Sequence, residues 1–293
     1  MKVLQKGLSL MINLNTLMVN RFVIVGMGCL TLSLFTPQVF AESLFTLSNN
    51  LKQGALVVGK TDPNNSVKVD DTLLAVSKNG DFVFGFGRDE VKPHKITVTN
   101  SLGVIEEQIL VPQTREYNIQ RINGIKKSIM KPNTKAVSRS GNDNTKIAIA
   151  RKTASNFTAF AKGFIAPING PITGVYGSQR VFNGVKKRPH YGLDYAGKTG
   201  DPVKAPADGK VLLFVPDMFY SGGTMIIDHG HGVTSTFLHL SASKVKKGDL
   251  VKQGQVVASV GASGRATGPH LDWRINWFKV RLDPAYVLTL TTL

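Results

Sequence analysis

Cysteine is nearly absent. The 293 residues contain one, Cys29, so no intramolecular disulfide and no cysteine-built zinc knuckle can form, and any metal site must draw on histidine and carboxylates. Acidic residues are scarce as well: 19 Asp and Glu stand against 36 Lys and Arg, a formal charge of +17 and a pI near 10.0. That imbalance points to a polyanionic partner, whether nucleic acid, anionic membrane or anionic cell wall. The main apolar run, Phe22 to Phe35, falls short of the roughly 20 residues a membrane-spanning helix needs. What is present suits a buried core: 42% hydrophobic and 19% charged residues exclude wholesale disorder, and 29 Gly and 13 Pro without a period exclude collagen and coiled coil. The length accommodates two domains of ordinary size.

Residues 1–41 carry Lys2, Lys6 and Arg21, no acid, the short apolar run, and Val39-Phe40-Ala41 at its end. This is the layout of a signal peptide, with cleavage expected after Ala41. Removing three cations takes the charge to +14 and leaves the chain thiol-free with no stable membrane span. An exported protein of this charge, in the periplasm, the cell envelope or secreted, meets peptidoglycan and other anionic envelope polymers rather than nucleic acid.

The expected fold is mainly β. Over 42–122, short strands alternate with turn signals: 55–59, 66–69, 72–76, 81–86, 95–99 and 104–111, with Asp62-Pro63-Asn64-Asn65, Lys78-Asn79-Gly80 and Asn100-Ser101-Leu102-Gly103 between them. This segment reads as a β-sandwich-like domain, and its one histidine, His94, as a solvated loop residue. Residues 123–162 shift toward Lys, Asn, Ser and Thr and read as a basic linker with a short helix at 145–161. From 163 to 293 glycine and β-branched residues return, as expected of a second β domain.

Five of the six histidines lie within this last region. His190 and Asp194 sit in Arg188-Pro189-His190-Tyr191-Gly192-Leu193-Asp194, where Pro and Gly forbid a regular helix, so a bent strand or loop must bring imidazole and carboxylate together on one metal. Thr236 to Leu240 alternates as a strand around His239. Gly268-Pro269-His270-Leu271-Asp272-Trp273-Arg274 does likewise, putting His270 and Asp272 on one face. His229 and His231, in a Gly-flanked turn, read as structural. Tyr191, Tyr195, Phe219, Tyr220, Trp273 and Trp277 are candidates for a substrate groove or for core.

These motifs come in the order of a known family. With Gly170-Pro171-Ile172-Thr173, Ala205-Pro206-Ala207-Asp208-Gly209, Ile227-Asp228-His229-Gly230, His239-Leu240-Ser241, Val251-Lys252-Gln253-Gly254 and Gly264 to Leu271, the region from Phe164 onward resembles peptidase family M23, the zinc-dependent peptidoglycan endopeptidases of the lysostaphin and LytM type. The resemblance implies a LytM/lysostaphin-like antiparallel β domain, zinc held by His190, Asp194 and a residue two past His270, and His239 and His270 flanking the attacking water. One position departs from the pattern: the usual HxH is His270-Leu271-Asp272 here, so the third ligand becomes Asp272. Zinc accepts carboxylate oxygen, and the more anionic site makes it a weaker Lewis acid. Asp272 has a second reading, a carboxylate paired with Arg274. The activity implied is hydrolysis of peptide bonds in peptidoglycan stem peptides or cross-bridges; the alternative is a degenerate domain that binds peptidoglycan and activates a separate wall amidase.

Overall fold

The computed structural model describes residues 42–48, 50–124 and 134–290; the signal-peptide segment and its cleavage point lie outside the described residues. The strands of the first half are β1 (Phe45–Leu47), β2 (Leu56–Thr61), β3 (Ser66–Val69), β4 (Thr72–Leu74), β5 (Asp81–Gly85), β6 (His94–Thr99), β7 (Ile105–Leu110) and β8 (Ile119–Ile122). Antiparallel pairing gives one sheet of order β1-β2-β5 and another of order β4-β3-β6-β7. The second alternates buried and exposed residues along β3 and β6, as a sheet wet on one side must. In β2 and β5 nearly every residue is buried, and the period of two explains how. Val57, Phe82 and Phe84 face the four-stranded sheet, while Leu56, Val58 and Val83 join the core of the second half. Gly59 makes this possible: a Cβ there would stand 2.0 Å from the Phe82 ring, its cross-strand partner.

His94 departs from expectation. It opens β6 rather than lying free in a loop, and its Nδ1 is 2.8 Å from Asp70 Oδ2, against the Phe86 ring. The helix is also displaced from its expected position. Helix α1 runs Thr134–Ala150, and a single 3₁₀ turn covers Ala159–Lys162. Between them the chain is drawn off the helical path because its backbone docks on the turn near His231. Ser155 O accepts from His231 N, and Phe157 O lies where a Cβ on Gly230 would be, 1.7 Å away.

The second half supplies β9 (Ile172–Gly174), β10 (Gln179–Phe182), β11 (Val185–Lys186), β12 (Leu193–Ala196), β13 (Pro202–Lys204), β14 (Gly209–Met218), β15 (Gly222–Gly230), β16 (Val233–Leu240), β17 (Ala242–Ser243), β18 (Leu250–Val251), β19 (Val256–Ser259), β20 (His270–Trp277) and β21 (Val280–Leu282). The large antiparallel sheet has the order β18-β14-β15-β16-β20-β12-β9, with β21 beside β20. The β10–β11 hairpin turns on Asn183-Gly184, both at positive φ, as a tight two-residue turn requires. One pairing is parallel: β8 runs alongside β10 and ties the two halves together. The final helix, α2 (Pro284–Val287), is capped by Asp283, whose carboxylate accepts from Ala285 N and also pairs with Arg115. From Glu42 onward the chain forms one unit.

The sheet's two faces divide the chemistry. Leu271, Trp273 and Ile275 of β20 and Val233 and Phe237 of β16 lie in the core. Alternation therefore turns His270, Asp272 and Arg274, with Thr236 and Leu238, to the opposite face. That face floors a groove of about 1870 Å³, with Ser140, Asp143 and Ile147 of α1 on one side and residues of β8 and β10 on the other.

Candidate metal centre and its groove

Register brings the acids together. On the antiparallel pair β12–β20, Asp194 lies directly opposite Asp272, and β9 places Gly174 opposite Asp194. Like charges in direct cross-strand register repel unless something positive separates them. His190 precedes β12 on a segment fixed at both backbone groups, its N–H donating to Ser178 O and its carbonyl accepting from Gly177 N. Its Nε2 reaches to 3.1 Å from Asp194 Oδ1. One ligand atom each from His190, Asp194 and Asp272 fall within 4.8 Å of one another.

Two further observations fit a divalent cation. His190 Nε2 and Asp194 Oδ1 are buried, and neither has a hydrogen-bond partner, a costly arrangement unless a ligand completes it. Both carboxylates also rest on glycine. A Cβ on Gly174 would stand 2.2 Å from Asp194 Oδ2, and one on Gly192 would stand 2.0 Å from Asp272 Oδ1. The donor set of one imidazole and two carboxylates is within zinc's range.

Asp272 is also held by Arg274: Nε donates to Oδ1 at 2.9 Å, and Nη2 donates to Oδ2. Burial alone raises the Asp272 carboxyl, but the Arg274 guanidinium outweighs it and holds the group below the usual carboxylate range. Each carboxylate oxygen has two lone pairs, so this fork fixes the carboxylate's orientation and leaves it further acceptor capacity.

His239 reaches the groove through a bulge. Between the pairs Gly223↔Leu240 and Met225↔Phe237, one residue of β15 faces two of β16, Leu238 and His239. Strict alternation would send His239 into the core beside Phe237. The extra residue, with His239 at φ 64°, turns it to the groove instead. Its Nδ1 lies 2.8 Å from Ser263 O, and His270 Nδ1 lies 2.8 Å from Gly268 O. A carbonyl only accepts, so both rings are protonated at Nδ1 and carry the lone pair on Nε2. The rings are 4.7 Å apart between centroids, and burial lowers the His239 pKa, favouring the neutral base.

Other candidates fall elsewhere. His229 is fully buried, bonded through Nδ1 to Asp208 O and through Nε2 to Ser235 Oγ, and burial pushes it down to about 4. His231 packs on Phe160. Trp273 and Tyr195 are core, whereas Phe219 and Tyr220 line the groove. Sequence reasoning missed Ser263, Gly174, Gly192, Arg151 and Arg188. Gly192 and Arg188 stood in the Arg188-to-Asp194 motif without a role, and Gly174 directly follows Gly170-Pro171-Ile172-Thr173; Arg151 was hidden in a run of linker cations.

Comparison with known proteins defines the class. The model for peptidase family M23 matches residues 188–284, so the chain carries an M23 domain there. Among curated relatives, peptidoglycan DD-endopeptidase ShyB of Vibrio cholerae is 45% identical over 87 residues, covering 30% of this chain and 20% of that protein. DD-carboxypeptidase/endopeptidase Mpg of Neisseria meningitidis is 44% identical over 91 residues, 30% of this chain and 21% of that one. These matches span about a fifth of the relatives' lengths. A solved M23 structure from Pseudomonas aeruginosa is 27% identical, covers 82% of this chain and 96% of that one, and superposes with a TM-score of 0.64. Among the described residues no helix is long and apolar enough to cross a membrane.

Proposed function

We propose that this protein is an exported zinc metallo-endopeptidase that hydrolyses peptide bonds of peptidoglycan stem peptides or cross-bridges in the cell envelope. Residues 163–293 are its peptidase domain, 42–122 a spacing or binding domain, and 123–162 the segment that connects them. The observation carrying this reading is the convergence of His190, Asp194 and Asp272 together with His239 and His270, whose rings lie 4.7 Å apart with each Nδ1 bonded to a carbonyl.

His190, Asp194 and Asp272 would hold the metal, which when bound supplies Lewis acidity toward the scissile carbonyl and the attacking water. His239 and His270 supply the proton handling: a neutral Nε2 accepts the proton of water, and the resulting imidazolium returns it to the departing amine. Either ring can do either task by this geometry. Peptidoglycan is the partner consistent with the charge and with the names of the relatives, and other anionic envelope polymers fit the charge as well.

One observation favours a second reading. The Arg274 fork already compensates Asp272, as it would in a metal-free protein that binds peptidoglycan and activates a separate amidase. Metal analysis and digestion of purified sacculi, followed by mass spectrometry of the released muropeptides, separate the two. About one zinc per chain with new peptide ends supports the hydrolase; a metal-free protein that leaves sacculi intact establishes the second reading.

A further inference from the structure

The groove holds more positive charge than its acids balance. Arg274 is matched by Asp272, but among the described residues neither Arg151 nor Arg188 forms an ion pair with a carboxylate. Arg151 follows α1, its backbone N–H still bonded to Ile147 O, and it is carried from there into the groove wall. One nitrogen of its head, Nη2, donates to Thr236 Oγ1 at 2.8 Å, while Nε is buried with no partner. Arg188 stands two residues before His190 at the groove's rim, its guanidinium 5.8 Å from the Tyr191 ring. Burial, with the charges of Arg274 and Arg188 close by, pushes the Arg151 guanidinium down to about 10, the mark of cations crowded without an anion. A buried, unpaired guanidinium donor is expensive, and the cost is recovered when a planar anion docks against it.

We propose that Arg151 and Arg188 form a carboxylate-binding subsite of this groove, selecting peptides that carry a free carboxylate. The proposal deepens the hydrolase reading and depends on it only for the peptide being a substrate rather than a bound ligand. The guanidinium fork matches a carboxylate in two parallel hydrogen bonds, the geometry Arg274 already makes with Asp272. The subsite adjoins His190 and Asp194, so a ligand anchored there lies along the groove floor beside the proposed reacting groups.

The test is calorimetric and independent of turnover. Chelator-treated full-length protein is titrated with acetyl-Lys-D-Ala-D-Ala and with the same peptide amidated at its C-terminus. The free acid is expected to bind about tenfold tighter or more, the worth of a charge-assisted pair. Arg188→Gln and Arg151→Gln should each weaken the acid and leave the amide unchanged. Arg188 is exposed, so R188Q keeps the test valid if R151Q fails to fold. Equal binding of acid and amide overturns the proposal, as does an acid preference that survives in a folded R188Q. Inorganic phosphate binding more tightly than the acid peptide overturns it too. A preserved acid preference in a zinc-loaded protein that cuts no sacculi leaves the subsite standing and removes the hydrolase; cut sacculi with acid and amide bound alike do the reverse.

Discussion

Two histidine–aspartate pairs, one in each half of the molecule, have the same composition and opposite electrostatics. In the first half His94 Nδ1 meets Asp70 Oδ2 at 2.8 Å, the other Asp70 oxygen accepts from Lys95 N, and Glu90 lies 3.6 Å from His94 Nε2. Asp70 is half exposed, so water reaches its carboxylate, and only the imidazole nitrogen Nε2 of His94 is buried without a hydrogen bond. In the second half His190 Nε2 and Asp194 Oδ1 approach to 3.1 Å, but both are sealed from water without a hydrogen bond, and Asp272 is placed opposite by strand register. Proximity of acid and imidazole therefore does not by itself mark a site. The mark is a carboxylate oxygen buried unsatisfied beside the imidazole, together with a second carboxylate that the backbone forces into range.

The largest expected effect separates the pairs directly. Asp194→Ala should abolish stoichiometric zinc binding, and Asp70→Ala should leave it unchanged, both read by elemental analysis of dialysed protein. Zinc retained by the first variant, or lost by the second, breaks the contrast. The histidines proposed to handle the proton come next: His239→Ala is expected to lower kcat on sacculi about 10²- to 10⁴-fold, the usual worth of a positioned general acid–base group, while zinc content stays near one per chain. Loss of metal instead would make His239 a ligand.

A third histidine sharpens the contrast from the structural side. His229 has both nitrogens satisfied and is completely buried. Its pKa is about 4 in the folded protein against an ordinary 6.5, so between those values the unfolded chain binds more protons than the native state. Stability from this group is complete above pH 6.5 and is lost as pH falls through about 4, a decline of about 3 kcal/mol. Urea melts of the wild type from pH 7 to 4 should show this slope, and His229→Gln should flatten it. A slope unchanged in the variant would mean other groups carry the acid sensitivity.

Much of this was legible in the sequence, and what was not has physical causes. The six strands expected in the first half lie within a residue or two of their limits, because alternation and turn residues such as Asn100 and Gly103 are local signals, whereas β1 and β8, short and defined by their pairing with β2 and β10, were not foreseen. The convergence of His190, Asp194 and Asp272 followed from motif order. The helix was misplaced because α1 is polar from Ser138 to Lys146 and is held there by tertiary contacts, Asp143 accepting from Phe219 N and Arg139 pairing with Asp217. The bulge at His239 was invisible for a similar reason: Thr236 to Leu240 reads as a regular strand, and only the β15 pairing shows the extra residue. His94 was misjudged because its partner, Asp70, lies in the turn between β3 and β4, 24 residues back.

Gly192 offers a test of the centre that leaves every charged group in place. Gly192→Ala puts a methyl 2.0 Å from Asp272 Oδ1 and 3.0 Å from Arg274 Cγ, so the carboxylate and its fork must shift together. Zinc affinity, measured by competition with a chelator, is expected to fall about 10- to 100-fold, the range seen when groups supporting a ligand are disturbed. The far-ultraviolet circular dichroism should be unchanged. Undiminished affinity would place Asp272 outside the coordination sphere and strengthen the reading in which Arg274 alone compensates it.

The smallest effect belongs to the first pair. His94, then the Lys95 amide, hold the Asp70 carboxyl below its ordinary value, so its contribution is full above pH 3.8 and fades as pH falls below that. Because Asp70 is half exposed, solvent screening limits that contribution to about 1 kcal/mol or less. Asp70→Asn should therefore lower stability in urea by no more than that at pH 7, with the difference shrinking toward pH 3 and zinc content unaltered. A loss of several kcal/mol would mean that the Asp70–His94 pair is buried in the working protein, and the two pairs would then differ in register and partners but not in their exposure to water.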